Sequence, residues 1–115
     1  MPLIQIQTSA TAPADAAPLL REVSREVAAL LGKPERYVMV LLQGNVAMSF
    51  GGDGAPCAYV DVRSIGALDG DQPRRLSAEL CSRLSRQLGI ASDRIYIGFE
   101  DVPGRLWGWN AGTFA

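Results

Sequence analysis

Pro2 is the residue of this chain with the clearest capacity for chemistry. A small second residue permits removal of the initiator Met1, and that trimming would leave a secondary amine as the mature N-terminus. A free α-amino group titrates near pH ~8, so roughly a tenth of it is already neutral at pH 7, and burial or a nearby cation enlarges that share. A neutral amine can accept a proton, which makes Pro2 a candidate general base. Proline also follows methionine without chemical consequence, so position alone does not assign the role. A retained Met1 would convert the same nitrogen into a tertiary amide with no basic lone pair, and that form is expected to be inactive.

The remaining composition narrows the chemistry around such a base. No histidine is present, which excludes imidazole acid/base steps, serine–histidine triads and histidine metal sites. Cys57 and Cys81 are too far apart for a Cys-x-x-Cys pair and have no metal-ligand companions, so reduced structural thiols are expected, with no metal and no cofactor. Glu100 and Asp101 read as a strand end and are assigned no chemistry. Lys33 is the one lysine among 11 basic residues. Two roles are open to it: offsetting the negative end of a helix dipole, because it follows a helix C-terminus, or acting on the amine, whose ammonium form it would disfavour.

At 115 residues and 48% hydrophobic content the chain has room for one core, and a single domain over 1–115 is expected. A net charge of −1 supplies no basic field for nucleic acid, and no apolar run approaches the length of a membrane span. Gln5, Gln7 and Thr8 interrupt the N-terminus before any leader-like apolar region can form. A soluble cytoplasmic protein is the expectation, with non-classical secretion left open.

The elements that must position these residues form a repeat. Leu3 to Thr8 alternates as a strand, and a helix from about Ala14 to Leu31 carries Leu19, Val23, Val27, Leu30 and Leu31 at helical spacing. Pro18 is acceptable there because it falls in the first turn, and Gly32 can close the helix in a left-handed cap. Tyr37 to Gln43 reads as the next strand, with a second short strand over Ala47 to Phe50 before the Gly51-Gly52 turn. The pattern then restarts: strand Ala58 to Ile65, helix Gln72 to Leu88, Gly89 as the counterpart of Gly32, strand Ile95 to Asp101. A doubled βαβ unit with right-handed crossovers predicts a two-layer α/β sandwich, a four-stranded sheet with both helices on one face.

Strand parity carries information on assembly. Ile4, Ile6, Val38, Val40, Val60, Val62, Ile95 and Ile97 share the parity expected to face the helices. The opposite parity mixes Leu3, Met39, Tyr59 and Tyr96 with Gln5, Asp61, Arg63 and Glu100. Such a face suits a sheet that lines a wet interior or meets copies of itself, so oligomerisation is expected.

The order of these features resembles the tautomerase superfamily, and within it the macrophage migration inhibitory factor branch, which also includes D-dopachrome tautomerase. The resemblance runs nearly end to end: Met1-Pro2, Gly32-Lys33-Pro34 followed by Tyr37, Phe50-Gly51-Gly52, Pro56-Cys57-Ala58, Ser64-Ile65-Gly66, Asp93-Arg94-Ile95-Tyr96-Ile97, and Gly108-Trp109-Asn110 through Phe114-Ala115. It implies a homotrimer with three sites at subunit interfaces, each built around the proline amine. It also implies keto–enol interconversion of aryl α-keto acids such as phenylpyruvate, or of dopachrome-like compounds. By the same resemblance Pro2 moves the proton, Lys33 binds the substrate carboxylate, Ser64 and the backbone N–H of Ile65 contribute to substrate binding, and Tyr96 enters from the adjacent subunit. Proton removal beside a carbonyl creates an enolate-like charge that such donors must stabilise. Tyr96 has an ordinary alternative as a strand tyrosine packing on a neighbour. Tyr37, Trp107, Trp109 and Phe114 either line an aromatic slot or serve as interface and core.

Departures from the family pattern bear on particular expectations. Gly98 stands where this branch usually carries an asparagine that helps shape the substrate site. Trp107 replaces a smaller aliphatic residue at the pocket mouth, which is expected to narrow or restack the slot and to alter substrate preference. Val60 stands where the animal cytokine completes a Cys-x-x-Cys motif, so thiol oxidoreductase activity is expected to be absent. Thr11-Ala12 and Gly44-Asn45 lack the surface residues to which receptor contacts are attributed, and no receptor partner is inferable. Two other readings stand beside the tautomerase: a cytokine-like or other trimeric interaction protein with a vestigial pocket, and the decarboxylase or dehalogenase chemistry of other branches. The latter relies on extra arginines or carboxylates around the proline, and sequence alone does not place Arg63 or Arg105 there.

Overall fold

Period-two alternation sorts the strand residues onto two faces, and the apolar set becomes the core. In the computed structural model, which describes residues 1–115, β1 (Leu3–Thr8) buries Ile4 and Ile6 completely. β2 (Met39–Gln43) runs parallel to β1 on one side and β3 (Ala58–Ser64) antiparallel on the other, with β4 (Ile95–Asp101) parallel to β3. The sheet order is therefore β2-β1-β3-β4. Val60 and Val62 of β3 join Ile4 and Ile6 beneath α1 (Ala17–Leu31) and α2 (Gln72–Leu88), whose Leu19, Val23, Val27, Leu76, Leu80 and Leu84 complete one cluster. Each such side chain removed from water contributes about 1.5–3 kcal/mol.

Between the helices sits Arg83, buried on α2. It donates through Nη1 to Glu22 at 2.6 Å and through Nε and Nη2 to Glu26, the two carboxylates lying one turn apart on α1. The hydrogen bonds satisfy a guanidinium that would otherwise be costly to bury.

The two halves repeat one local solution. Gly32 (φ 65°) and Gly89 (φ 69°) end the helices in the left-handed conformation, and in each case the second residue on, Pro34 or Ala91, is extended and leads into a short 3-10 turn, Glu35–Tyr37 or Ser92–Arg94. The first of these turns closes with the Val38 N–H donating to the Glu35 carbonyl at 2.9 Å. It takes up Tyr37 and delays β2 until Met39, two residues after the sequence expectation. α1 likewise begins at Ala17 rather than near Ala14, because Asp15 accepts the Ala17 N–H at 3.1 Å in a local turn and Pro18 must fall in the first helical turn.

Two corrections concern small strands. Ala47 to Phe50 does not form one: only Phe50 bridges, to Asp53, because a strand needs a pairing edge and the chain offers none beside residues 47–49. Conversely, β5 (Gly108–Trp109) and β6 (Gly112–Thr113) form a hairpin that the sequence did not announce. Asn110 and Ala111 hold φ of 50° and 64° in its two-residue turn. No helix is long and apolar enough to cross a membrane. On the sheet face away from the helices, Met39, Tyr59 and Tyr96 remain 63%, 42% and 66% exposed.

Candidate functional site

Pro2 stands immediately before β1, and the ladder fixes it there. Its carbonyl accepts the Met39 N–H at 3.0 Å, while Leu3 is paired with Met39 on one side and Arg63 on the other. Pro2 is fully buried. One step beyond the Leu3–Arg63 pair, the antiparallel register sets Ser64 across from it. Ser64 is also fully buried, and its hydroxyl has no hydrogen-bond partner. Buried hydroxyls are seldom left so, since an unmade bond costs about 1–3 kcal/mol.

At this end of the sheet opens a cleft of about 500 Å³, lined by Met1, Pro2 and Leu3 together with Tyr37, Trp107 and Phe114. Trp109 completes the aromatic side. Its ring stacks on Phe114 with centroids 5.2 Å apart, and Tyr37 meets both edge-on at 5.6 and 5.8 Å. The chain terminus is held in this position by the Phe114 N–H, which bonds the carbonyls of Gly104 and Trp107, each at 3.2 Å. Glycine is required at 104, because a Cβ there would lie 2.9 Å from the Phe114 carbonyl oxygen.

Lys33, just past α1, turns its Nζ to the Ile65 carbonyl at 2.7 Å. The contact joins the end of α1 to the end of β3. The Ile65 N–H has no partner within the chain. In this structure the terminal amine belongs to Met1, and it is held below the ordinary amine value, first by burial and second by the positive charge of Lys33. Of the residues expected at the site, Pro2, Tyr37, Trp107 and Phe114 line the cleft, whereas Ser64, Ile65 and Lys33 lie at the same end of the sheet but are not on its lining. Tyr96 is not brought there. It pairs with Tyr59, which in turn pairs with Gln7, near the other end of β1, and its ring lies 4.6 Å from that of Phe50. Beside it, Gly98 has a steric reason: a Cβ would fall 2.9 Å from the Tyr59 hydroxyl, so an asparagine cannot stand there while Tyr59 keeps this position.

Arg36 and Arg63 also line the cleft, which sequence reasoning did not foresee, whereas Arg105 lies outside the lining. For Arg63 a signal existed, since the Arg63-Ser64-Ile65 order puts it at the same strand end as Ser64. No group of three or more Cys, Asp or Glu side chains converges to hold a metal ion.

A two-layer α/β sandwich of doubled βαβ units, with a cleft around its second residue, is the fold of the macrophage migration inhibitory factors and of the tautomerase superfamily to which they belong. The macrophage migration inhibitory factor homologue from Prochlorococcus marinus superposes with a TM-score of 0.97 at 57% identity, over 98% of this chain and 99% of that one. The Trichinella spiralis structure gives 0.89 at 35% identity, over 97% and 99%. The sequence profile of the macrophage migration inhibitory factor family matches residues 1–115, and the chain belongs to that family. It is 36% identical to the homologue of Trichuris trichiura across 99% of this chain and all of that one. Against macrophage migration inhibitory factor of Rattus norvegicus the identity is again 36%, over the full length of both.

Proposed function

We propose that the protein is a cofactor-independent keto–enol tautomerase of aryl α-keto acids, of the phenylpyruvate or dopachrome type, with the Pro2 amine as general acid/base once Met1 is removed. The observation that carries this reading is the burial of Pro2 at an aromatic cleft where the chain's terminal amine is already held low by burial and by Lys33. A trimmed Pro2 would inherit those surroundings, and burial and the charge of Lys33 would both act to enlarge its neutral share.

Ketonisation then runs as a proton exchange. The neutral Pro2 amine takes the enol O–H proton, the electron pair of that O–H bond forms the carbonyl, and the C=C pair takes a proton at the benzylic carbon from the Pro2 ammonium so formed, which returns the amine to its neutral state; the reverse direction removes the carbon proton to the amine and returns it to the oxygen. Negative charge on the oxygen during transfer needs donors and a cation. Lys33, the free N–H of Ile65 and the unpartnered hydroxyl of Ser64 are the groups available at this end of the sheet. Tyr37, Trp107 and Phe114 would take the aryl group.

Tyr96 can take part only from a neighbouring copy, since its own chain holds it at the other end of the sheet. The exposed apolar side chains Met39, Tyr59 and Tyr96 support a homo-oligomer, for which we take the trimer. The deciding experiment is phenylpyruvate ketonisation by protein with a mass-verified free Pro2 terminus beside a Pro2→Gly variant. Loss of roughly 10²–10⁴-fold in the variant is expected for a general acid/base. If neither protein exceeds buffer, the tautomerase reading falls and a trimeric interaction protein with an idle pocket takes its place.

A further inference from the structure

Two guanidinium groups, those of Arg36 and Arg63, stand on the lining of the cleft. Arg63, the penultimate residue of β3, has its Nε bound to Asp61 at 3.1 Å and 3.4 Å from Glu100, and neither carboxylate lines the cleft. These partners orient the guanidinium while leaving both Nη groups without a hydrogen bond in the chain. Arg36 lies over the Tyr37 ring, 4.8 Å from its centroid, with no carboxylate in salt-bridge range. No Asp or Glu is present anywhere on the lining, and apart from the two arginines it is mainly apolar. A planar fork with unused donors at the edge of an apolar cleft is suited to a carboxylate, which it can bind through two parallel hydrogen bonds.

We infer that the preferred substrate is an aryl 2-oxo acid carrying a second acidic group on the side away from its 2-oxo carboxylate, and that Arg63 and Arg36 bind this second group. The inference rests on the tautomerase reading for the 2-oxo acid half and on the arginine pair for the other. Lys33 and the Ile65 N–H would hold one end of such a dianion, the aromatic rings its middle, and the guanidinium groups its far end. The one sequence departure on the lining points the same way, since Trp107 adds aromatic surface to the slot.

Trp107 and Trp109 both line the cleft, so intrinsic fluorescence can report occupancy without turnover. The test titrates free-Pro2 protein with 3-phenylpropionate and with 3-(4-carboxyphenyl)propionate, neither of which can enolise as a 2-oxo acid. The dianion is expected to bind about ten-fold tighter, in line with charge-assisted hydrogen bonds at a partly solvated site. In Arg63→Gln and Arg36→Gln that ratio should fall toward one, and Arg63→Lys, with charge but no fork, should restore it only partly. Circular dichroism and the melting temperature of each variant separate a folding defect from a lost contact. Equal affinities in the parent protein, or a preference that survives both substitutions, overturn the inference. Because the readout is binding, a protein that fails to ketonise phenylpyruvate yet prefers the dianion refutes the tautomerase reading alone.

Discussion

Replacing Lys33 by methionine removes a charge while keeping a long apolar stem, and three consequences follow from its position. The Nζ donor to the Ile65 carbonyl at 2.7 Å is lost. On the proposed function a cation for the substrate carboxylate is lost as well. A hydrogen bond to a charged group contributes about 1.5–3 kcal/mol, so kcat/KM should fall roughly ten- to hundred-fold, chiefly through KM. The third consequence is on pH dependence. Burial is the larger cause of the lowered terminal amine and Lys33 the smaller. Deleting the lysine therefore raises the amine value part of the way toward its ordinary range and leaves the burial share in place. The proposed mechanism uses the neutral amine in the enolising direction, so activity should be lost as pH falls through the amine's titration. The acid limb of the kcat/KM profile should consequently move to higher pH in Lys33→Met, without reaching the limb of a free amine. The assay is the pH–rate profile of phenylpyruvate tautomerisation for both proteins, with circular dichroism to verify the fold. An unmoved limb, or a limb displaced to lower pH, would refute the electrostatic reasoning, and an unchanged kcat/KM would remove Lys33 from the site.

Protein that retains Met1 is expected to be inactive to within background, because the Pro2 nitrogen is then an amide and the Met1 residue itself lines the cleft; mass spectrometry beside the ketonisation assay checks this, and turnover by fully Met1-bearing protein would exclude Pro2 as the base. Leu84→Ala, at a position with no exposure, should cost about 2–5 kcal/mol of stability in urea unfolding at fixed protein concentration. A cost below ~1 kcal/mol would mean that the α2 contact with the sheet is looser than described. Sedimentation at micromolar concentration should return three times the monomer mass, while a Tyr96→Asp change on the exposed face should shift the mass toward the monomer. A monomeric parent protein would contradict the assignment of that face to assembly.

What the sequence made legible were periodicities, and what it concealed were meetings. Ile4, Ile6, Val60 and Val62 announce their common face by alternation alone, and the structure buries all four beneath α1 and α2. Gly32 and Gly89 announce helix ends because the left-handed conformation they adopt is costly for other residues. The Ala47–Phe50 stretch shows the limit of that logic, since the residues can suit an extended chain and still find no neighbouring edge. The β5–β6 hairpin shows the converse: Asn110-Ala111 occupies the positive-φ turn that Asn-Gly would have signalled, and two-residue strands have no period to detect.

The same distinction runs through the cleft. Pro2 draws attention by chemistry and Lys33 by being the sole lysine, so neither depends on knowledge of the fold. Arg36 and Arg63 are two of ten arginines; the Arg63-Ser64-Ile65 order hinted at the place of one, and nothing in its neighbours along the chain separates Arg36 from Arg21 or Arg105. Their distinction arises only when β1 pairs with the end of β3 and the 3-10 turn before β2 carries Arg36 to the same opening. A cleft that places two such guanidinium groups around an aromatic slot discriminates by the far end of its ligand, where the family-like residues Pro2, Lys33 and Ile65 exert no selection. On the proposed function, the reaction and the choice of substrate are thus written in different parts of the chain: the first in a terminal amine and its donors, the second in arginines that only the folded sheet brings to the cleft.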